Sequence, residues 1–306
     1  MNKKVLCVTA NPCVDRLVWY RDSRAHPTRV FHQVGGKGIN VSRMMAWLGY
    51  DVISLSYARA DDSDKMTSLV KKEPFRSVLV PVQQPVRELS TYINRAEHVA
   101  EVDYVSTNRM LPEEAERFVE EYGKILTESP ALVILSGSAC EGAADTYPAM
   151  VRMAKEKNIP VILDSYGECF VKAIPEGPDY IKPNREELEK TVGTVAPGKE
   201  IEAARKLIAM GAGCVLLTMG EKQSYCITAD SASEYTSFDV PTVSPVGCGD
   251  SLVAYFAHGL LEGMTLERSF ELGRAAGAAN AMQAFSGRVK KEQVCRVLRK
   301  AGLPEF

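Results

Sequence analysis

The stretch SPVGCGDSLVAYF, Ser244–Phe256, sets two glycines and an aspartate at the entry to an apolar run with helical character. The first N–H groups of a helix have no intrahelical partner, and the aligned peptide dipoles favour negative charge there. Gly247, Cys248 and Gly249 could therefore cradle an anion, and Asp250 beside them could cap the helix and accept a proton. The plainer alternative is a tight strand-to-helix connection. GCGD does not complete G-x-G-x-x-G, because Leu252 takes the last glycine position, which speaks against a dinucleotide site.

Three further stretches carry chemistry. NPCVD, Asn11–Asp15, offers either a simple turn or a short acid, Asp15, placed to hold hydroxyl groups. GGKGIN offers Gly35 and Gly36 for close approach, Lys37 for positive charge and Asn40 to donate and accept hydrogen bonds. It is not a Walker A loop, since the lysine falls between glycines. In IKPNREELEK, Asn184 and Glu187 lie three apart at a helix start and share a face. Next to phosphates that pair could organise a hydrated Mg²⁺; alone it could equally be a solvated first turn.

The elements that must position these stretches alternate along the chain. KKVLCVT, ALVILSG, PVILDS, DYIKP and CVLLTMG read as strands. Between them, Gly38–Leu48, PEEAERFVEEYGKIL, YPAMVRMAKEKN and KEIEAARKLIAMG read as helices, and two more close the C-terminal third, at about 251–262 and 266–285. This alternation predicts an α/β fold with a mostly parallel central sheet covered by helices on both faces. In such sheets ligands sit at the carboxyl ends of the strands, where all four stretches fall.

Two regions break the rhythm. Leu17–Val34 and Arg87–Ser106 hold strand-like runs without helices between them, which predicts antiparallel pairs forming a small lid at about 15–35 and 86–106, or plain edge strands. Neither repeat nor linker is visible, so a single domain spanning 1–306 is expected, with the lid inserted. Trp19, Tyr20 and Phe31 in the lid predict an exposed apolar patch and pairing of two copies through it.

A formal charge of −2 over 306 residues argues against a general nucleic-acid binder. No apolar run of membrane-spanning length occurs and no leader is evident, so the cytoplasm is the expected compartment and no membrane partner is implied. Eight scattered cysteines without C-x-x-C spacing read as buried free thiols rather than metal ligands.

In this order the four stretches resemble the ribokinase-like, or PfkB, carbohydrate kinases, from NPCVD through GGKGINVSRMMAWLG and IKPNREEL to VGCGD and GRAAGAANAMQAF. N-P-x-x-D followed by GGKGINVSR looks like the branch of 1-phosphofructokinases and tagatose-6-phosphate kinases. The resemblance implies a ribokinase-like three-layer fold with a β-strand lid, and transfer of phosphate from ATP, with Mg²⁺, to a hydroxyl of a phosphorylated ketohexose. It leaves a monovalent cation open. Asp250 would be the base, with Gly247, Cys248 and Gly249 supplying N–H groups to the transferred phosphoryl. Asn184 and Glu187 would organise Mg²⁺ and the phosphates through water, Thr218 and Gly220 would line the nucleotide, and Asn280 would belong to the nucleotide site, on the helix that should flank the adenine. Asp15, Gly35, Gly36, Lys37 and Asn40 would hold the sugar.

Departures touch the substrate. TYIN stands where that branch reads T-R-I-N, so Tyr92 replaces an arginine expected near the sugar phosphate, and Arg87, Arg95 or Arg109 would have to compensate. GSACEG replaces G-S-L-P-P-G and gains Glu141. An unphosphorylated sugar or nucleoside is the alternative acceptor, and a non-catalytic ligand-binding protein on the same scaffold is the third reading. Pro245 and Gln223 also depart from the pattern near the nucleotide.

Overall fold

A computed structural model describes residues 3–61, 65–94, 99–104 and 108–306. Its first half contains β1 (Lys4–Val8), β2 (Cys13–Tyr20), β3 (Arg29–Gly35), α1 (Lys37–Trp47), β4 (Asp51–Arg59), α2 (Met66–Val70), β5 (Arg76–Val82), β6 (Arg87–Asn94), β7 (Val99–Tyr104) and α3 (Pro112–Leu126). There follow β8 (Leu132–Ser136), α4 (Thr146–Glu156), β9 (Val161–Asp164), α5 (Glu168–Ala173), β10 (Tyr180–Ile181), α6 (Arg185–Val192) and α7 (Glu200–Ala209). The chain ends with β11 (Cys214–Thr218), β12 (Gln223–Ile227), β13 (Ala232–Thr236), α8 (Cys248–Leu261), α9 (Leu266–Ala281) and α10 (Lys291–Lys300).

Among the described residues one sheet runs β13-β12-β11-β10-β9-β8-β1-β4-β5, parallel from β11 to β5 and antiparallel only at its β12 and β13 edge. Side chains alternate along a strand, and here both faces are buried. Leu6 and Val8 of β1 enter the core beneath α3, α4 and α7, with Phe118, Tyr122, Met150 and Leu207. Val5 and Cys7 enter the opposite core, with Met44, Met45, Leu252, Phe256 and Phe270 from α1, α8 and α9. This is the expected three-layer α/β arrangement.

Local pattern does not announce β4, where the buried Ser54 and Ser56 interrupt a strand covered from Val52 to Ala58, or the polar-faced α10. It also ran α9 too far. The helix stops at Ala281, and the chain turns back so that Phe285 packs on Trp19, with centroids 5.3 Å apart, and on Phe31 at 5.8 Å.

The lid is one sheet rather than two hairpins. Its order is β3-β2-β6-β7; the two expected antiparallel pairs are present, and a parallel β2–β6 seam joins them, Cys13 opposite Arg87 and Trp19 opposite Ile93. Trp19 does not belong to an exposed patch: it is buried with Leu17 and Ile93 over Phe285, and the Arg29 guanidinium covers its ring at 4.9 Å, while Tyr20 and Phe31 are half-buried.

Candidate active site

Asp250 lies at the carboxyl edge of the sheet, but not as a helix cap. Helix α8 starts at Cys248 with Gly247 as its N-cap, and Asp250 sits buried inside the first turn. Its Oδ2 accepts a hydrogen bond from Asn40 Nδ2 at 2.8 Å. Burial pushes its pKa up to about 6, helped by Asp164 and opposed by Lys37, Lys182 and the Asn40 bond. It is therefore a carboxylate at neutral pH with enough basicity to take a proton.

Above it, the N–H groups of Gly249 and Asp250 belong to the first turn and lack intrahelical acceptors. Gly247 is required twice over: its φ is +84°, and a Cβ there would lie 2.8 Å from Ser286 Cβ. Burial raises the Cys248 thiol to about 11, so this residue contributes backbone and not a thiolate. Asn280 turns its side chain inward, away from any open surface of its helix. It is fully buried, its Nδ2 donating to Val246 O at 2.7 Å and its Oδ1 accepting from Ser251 Oγ and Gly287 N, each at 3.2 Å. These bonds pin the glycine loop from behind.

The sequence reading missed the carboxylate that organises the cations. Asp164, at the end of β9 and fully buried, receives Lys37 Nζ at 2.9 Å and Lys182 Nζ at 3.2 Å, with Ser136 Oγ donating at 3.1 Å. Burial alone would raise its pKa, yet Lys182 and Lys37 hold it below the usual range. Lys37 mirrors this: burial works against its charge, and Asp164, Asp250 and Glu187 together drive its pKa up. Its ammonium is thus held at Asp164, beside Asp250. Lys182 reaches the helix entry, 3.3 Å from where a Cβ on Gly249 would stand. Its only signal in the sequence was a lysine just before Pro183-Asn184.

Asn184 and Glu187 form a reciprocal capping box on α6. Asn184 Oδ1 accepts from Glu187 N at 2.9 Å and Glu187 Oε2 from Asn184 N at 2.8 Å. Thr218, at the end of β11, bridges to Asn184, and Gly220 follows it in an exposed turn, so these residues share one edge. Among the described residues no three His, Cys, Asp or Glu side chains gather into a metal cage.

The opposite wall is built by the lid strands. Asp15 is buried in β2, its Oδ1 accepting from Cys13 Sγ at 3.1 Å and its Oδ2 from Gln33 Nε2 at 3.2 Å. Burial raises its pKa, while those two bonds, Arg43 and Arg87 pull it back. Gly35 lies directly beneath, since a Cβ there would stand 2.3 Å from Asp15 Oδ2; Gly36 then caps α1.

Register assigns the arginines. Arg87 pairs with Cys13 across the β2–β6 seam, which puts it on the Asp15 face, with Nη2 3.4 Å from Asn11 O. Tyr92 pairs with Val18 and therefore points to the other face, under the Arg24 guanidinium at 4.7 Å. Within this copy the guanidinium on the Asp15 face is that of Arg87, in VREL five residues earlier, and Tyr92 lies on the opposite face of the lid. Arg109 and Glu141 answer each other at 3.7 Å, both exposed, and Arg95 lies outside the described residues.

A basic carboxylate under a helix entry, with two lysines leashed to a buried aspartate beside it, on a three-layer sheet with a strand lid, defines a ribokinase-like sugar kinase. The chain belongs to the pfkB family of carbohydrate kinases, whose family model matches residues 5–287. It is 28% identical to 1-phosphofructokinase of Bacillus subtilis, over 98% of this chain and 98% of that protein. It is 25% identical to tagatose-6-phosphate kinase of Staphylococcus epidermidis, over 97% and 98%. The fold matches a crystal structure of phosphofructokinase-2 from Escherichia coli in complex with potassium, with a TM-score of 0.85, 22% identity and coverage of 98% and 99%.

Proposed function

We propose that this kinase transfers the γ-phosphoryl group of ATP to a hydroxyl of a phosphorylated ketohexose, with fructose-1-phosphate, fructose-6-phosphate and tagatose-6-phosphate as the candidates. The observation that carries the phosphorylated acceptor is Arg87, a guanidinium on the same lid face as Asp15. Two further observations support that reading: Tyr92 lies on the other face of this copy's lid, and Glu141 stands 3.7 Å from Arg109.

Asp15 accepts hydrogen bonds from sugar hydroxyls and Arg87 answers the sugar's phosphate. The acceptor hydroxyl gives its proton to Asp250 as its oxygen bonds to the γ-phosphorus and the bond to the β-phosphate oxygen breaks. Products are ADP, a sugar bisphosphate and a protonated Asp250 that then releases its proton to water. Gly249 and Asp250 N–H groups, Lys182 and Lys37 face the negative charge on the moving phosphoryl. Thr218 and Gly220 line the nucleotide.

Asn184 and Glu187 would offer oxygens to a magnesium ion that keeps its waters. When bound, Mg²⁺ neutralises phosphate charge. Two copies associate through the lid edges β3 and β7, which have no further strand beside them among the described residues. Eight unbridged cysteines suit the cytoplasm.

The test is ADP release with Mg²⁺ and ATP across the three sugar phosphates, their unphosphorylated sugars and common nucleosides, in sodium and in potassium buffers. Turnover confined to a sugar phosphate is expected; turnover confined to unphosphorylated compounds overturns the reading. Light scattering at micromolar concentration tests the pairing, and a monomer refutes it.

A further inference from the structure

Arg43 is one of the largest fully buried side chains in the protein, and its surroundings are unusual for a core position. Its Nε and Nη2 donate to the two carboxylate oxygens of Glu73, at 2.7 and 2.8 Å. Nη2 also donates to Val34 O at 2.8 Å, and Nη1 to Gly287 O at 3.4 Å. The remaining contact is to Asn40: Nη1 donates to its Oδ1 at 2.9 Å. Asn40 in turn gives Nδ2 to Asp250 at 2.8 Å.

A carboxamide has one accepting end and one donating end, and the two are nearly the same shape. A guanidinium can only donate. With Arg43 clamped by Glu73, only Oδ1 can face it, so the NH₂ group must face Asp250. Gly287 closes the remaining space, since a Cβ there would lie 2.4 Å from Asn40 Cβ. From Glu73 a second arm runs back to the other wall: Arg288 Nη2 stands 3.9 Å from Glu73, Arg288 Nε donates to Gln33 Oε1 at 2.8 Å, and Gln33 Nε2 donates to Asp15.

We propose that Arg43, held by Glu73, is a positioning residue that fixes the polarity of Asn40 so that Asp250 always receives a hydrogen-bond donor, setting the pH at which the base is charged. The proposal rests on the kinase reading for its catalytic meaning, but its physical content does not need turnover. The charged groups acting on Asp250 are Lys37 from the start of α1, Asp164 from β9 and Lys182 beyond β10, and none of them touches Arg43 by hydrogen bond or ion pair among the described residues. Changing Arg43 therefore alters Asp250 through Asn40.

Two substitutions separate positioning from packing. Arg43→Lys keeps a group that only donates, whereas Arg43→Gln offers either polarity and lets the Asn40 amide turn over. The first readout is carbon-13 NMR titration of the aspartate carboxyls without substrate, the Asp250 signal being assigned by its loss in Asp250→Asn. The second is the acid limb of the pH–rate profile for phosphoryl transfer. Arg43→Gln is expected to move both upward by about one pH unit, a roughly tenfold loss of rate on the acid side. Arg43→Lys leaves both in place, and in an Asn40→Ala background the two variants titrate alike.

Equal shifts in the two variants, or none in either, overturn the proposal. If Arg43→Gln does not fold, Glu73→Gln, which leaves the guanidinium present but unclamped, replaces it; an unmoved Asp250 titration in that variant counts against the proposal. A shifted titration in a protein that turns over no sugar phosphate keeps the positioning role and removes the proposed function instead.

Discussion

Lys37 Nζ lies 2.9 Å from Asp164, a carboxylate with no exposed surface that also holds Lys182 at 3.2 Å. Removing it leaves two ammonium groups facing each other in a buried place. Asp164→Ala is expected to lose about 3–5 kcal/mol of stability by urea denaturation, as when one partner of a buried ion pair is deleted. The folded-state pKa of Asp164 is lowered, so its contribution is present above the unfolded carboxylate pKa, about 4, and disappears as pH falls through the lower folded value. A wild-type and an Asp164→Ala protein that unfold at the same urea concentration at pH 7 would contradict this.

Asp250 has the opposite sign. Its folded pKa is raised to about 6, so the neutral form is favoured by folding and stability is lost as pH rises through that value. Asp250→Asn should therefore fold more stably than wild type at pH 8, by roughly 1–3 kcal/mol, with the gain vanishing toward pH 4. The same substitution should lower turnover by about 10²–10⁴-fold, the usual contribution of a positioned base. Retention of more than about a tenth of the rate would exclude the base role.

Rate should follow the same group. Below pH 6 turnover is expected to fall about tenfold per pH unit as Asp250 is protonated, while the thermal unfolding temperature does not fall in parallel. A profile flat to pH 5 is incompatible with that carboxylate as the base.

The lid arginines give a paired test. Arg87→Met is expected to raise KM for the sugar phosphate about 10–100-fold, in line with loss of a charge-assisted contact, and to leave KM for ATP unchanged. Tyr92→Phe, on the far face under Arg24, should change either KM less than about twofold. The reverse ranking would return Tyr92 to the substrate.

Gly35→Ala forces a methyl to within 2.3 Å of Asp15 Oδ2, so Asp15 must move. We expect KM for the sugar to rise about tenfold or more with little change for ATP, measured by initial rates with each substrate varied in turn. Equal effects on both would place Gly35 elsewhere in the mechanism.

The alternation of strands and helices, the lid insertions and the glycine entry to α8 were legible because each leaves a local mark: period, punctuation, or a charged residue beside glycines. What stayed hidden depends on partners far apart in the chain. Lys182 and Asp164 became a unit only once β9 and β10 lay side by side, and nothing near Arg43 announces Glu73. The face that Tyr92 presents was equally hidden, because which residues of a lid strand turn toward Asp15 is set by its register with β2, and a shift of one reverses every side chain. For Asn280 the helix is legible from its pattern, whereas the inward turn of its side chain onto Val246 is not.

The parallel seam between β2 and β6 joins segments about seventy residues apart, and Asn40 meets Asp250 across 210. During synthesis, neither wall of the cleft can therefore be assembled from a local stretch: Asp15 gains its neighbour Arg87 only after β4 and β5 have been laid down, and the base arrives near the end. The Asn40–Asp250 contact, and the Gly287 backbone that packs over Asn40, are the last parts of this cleft to be supplied. A prematurely terminated product ending before that glycine lacks the closure over Asn40 altogether.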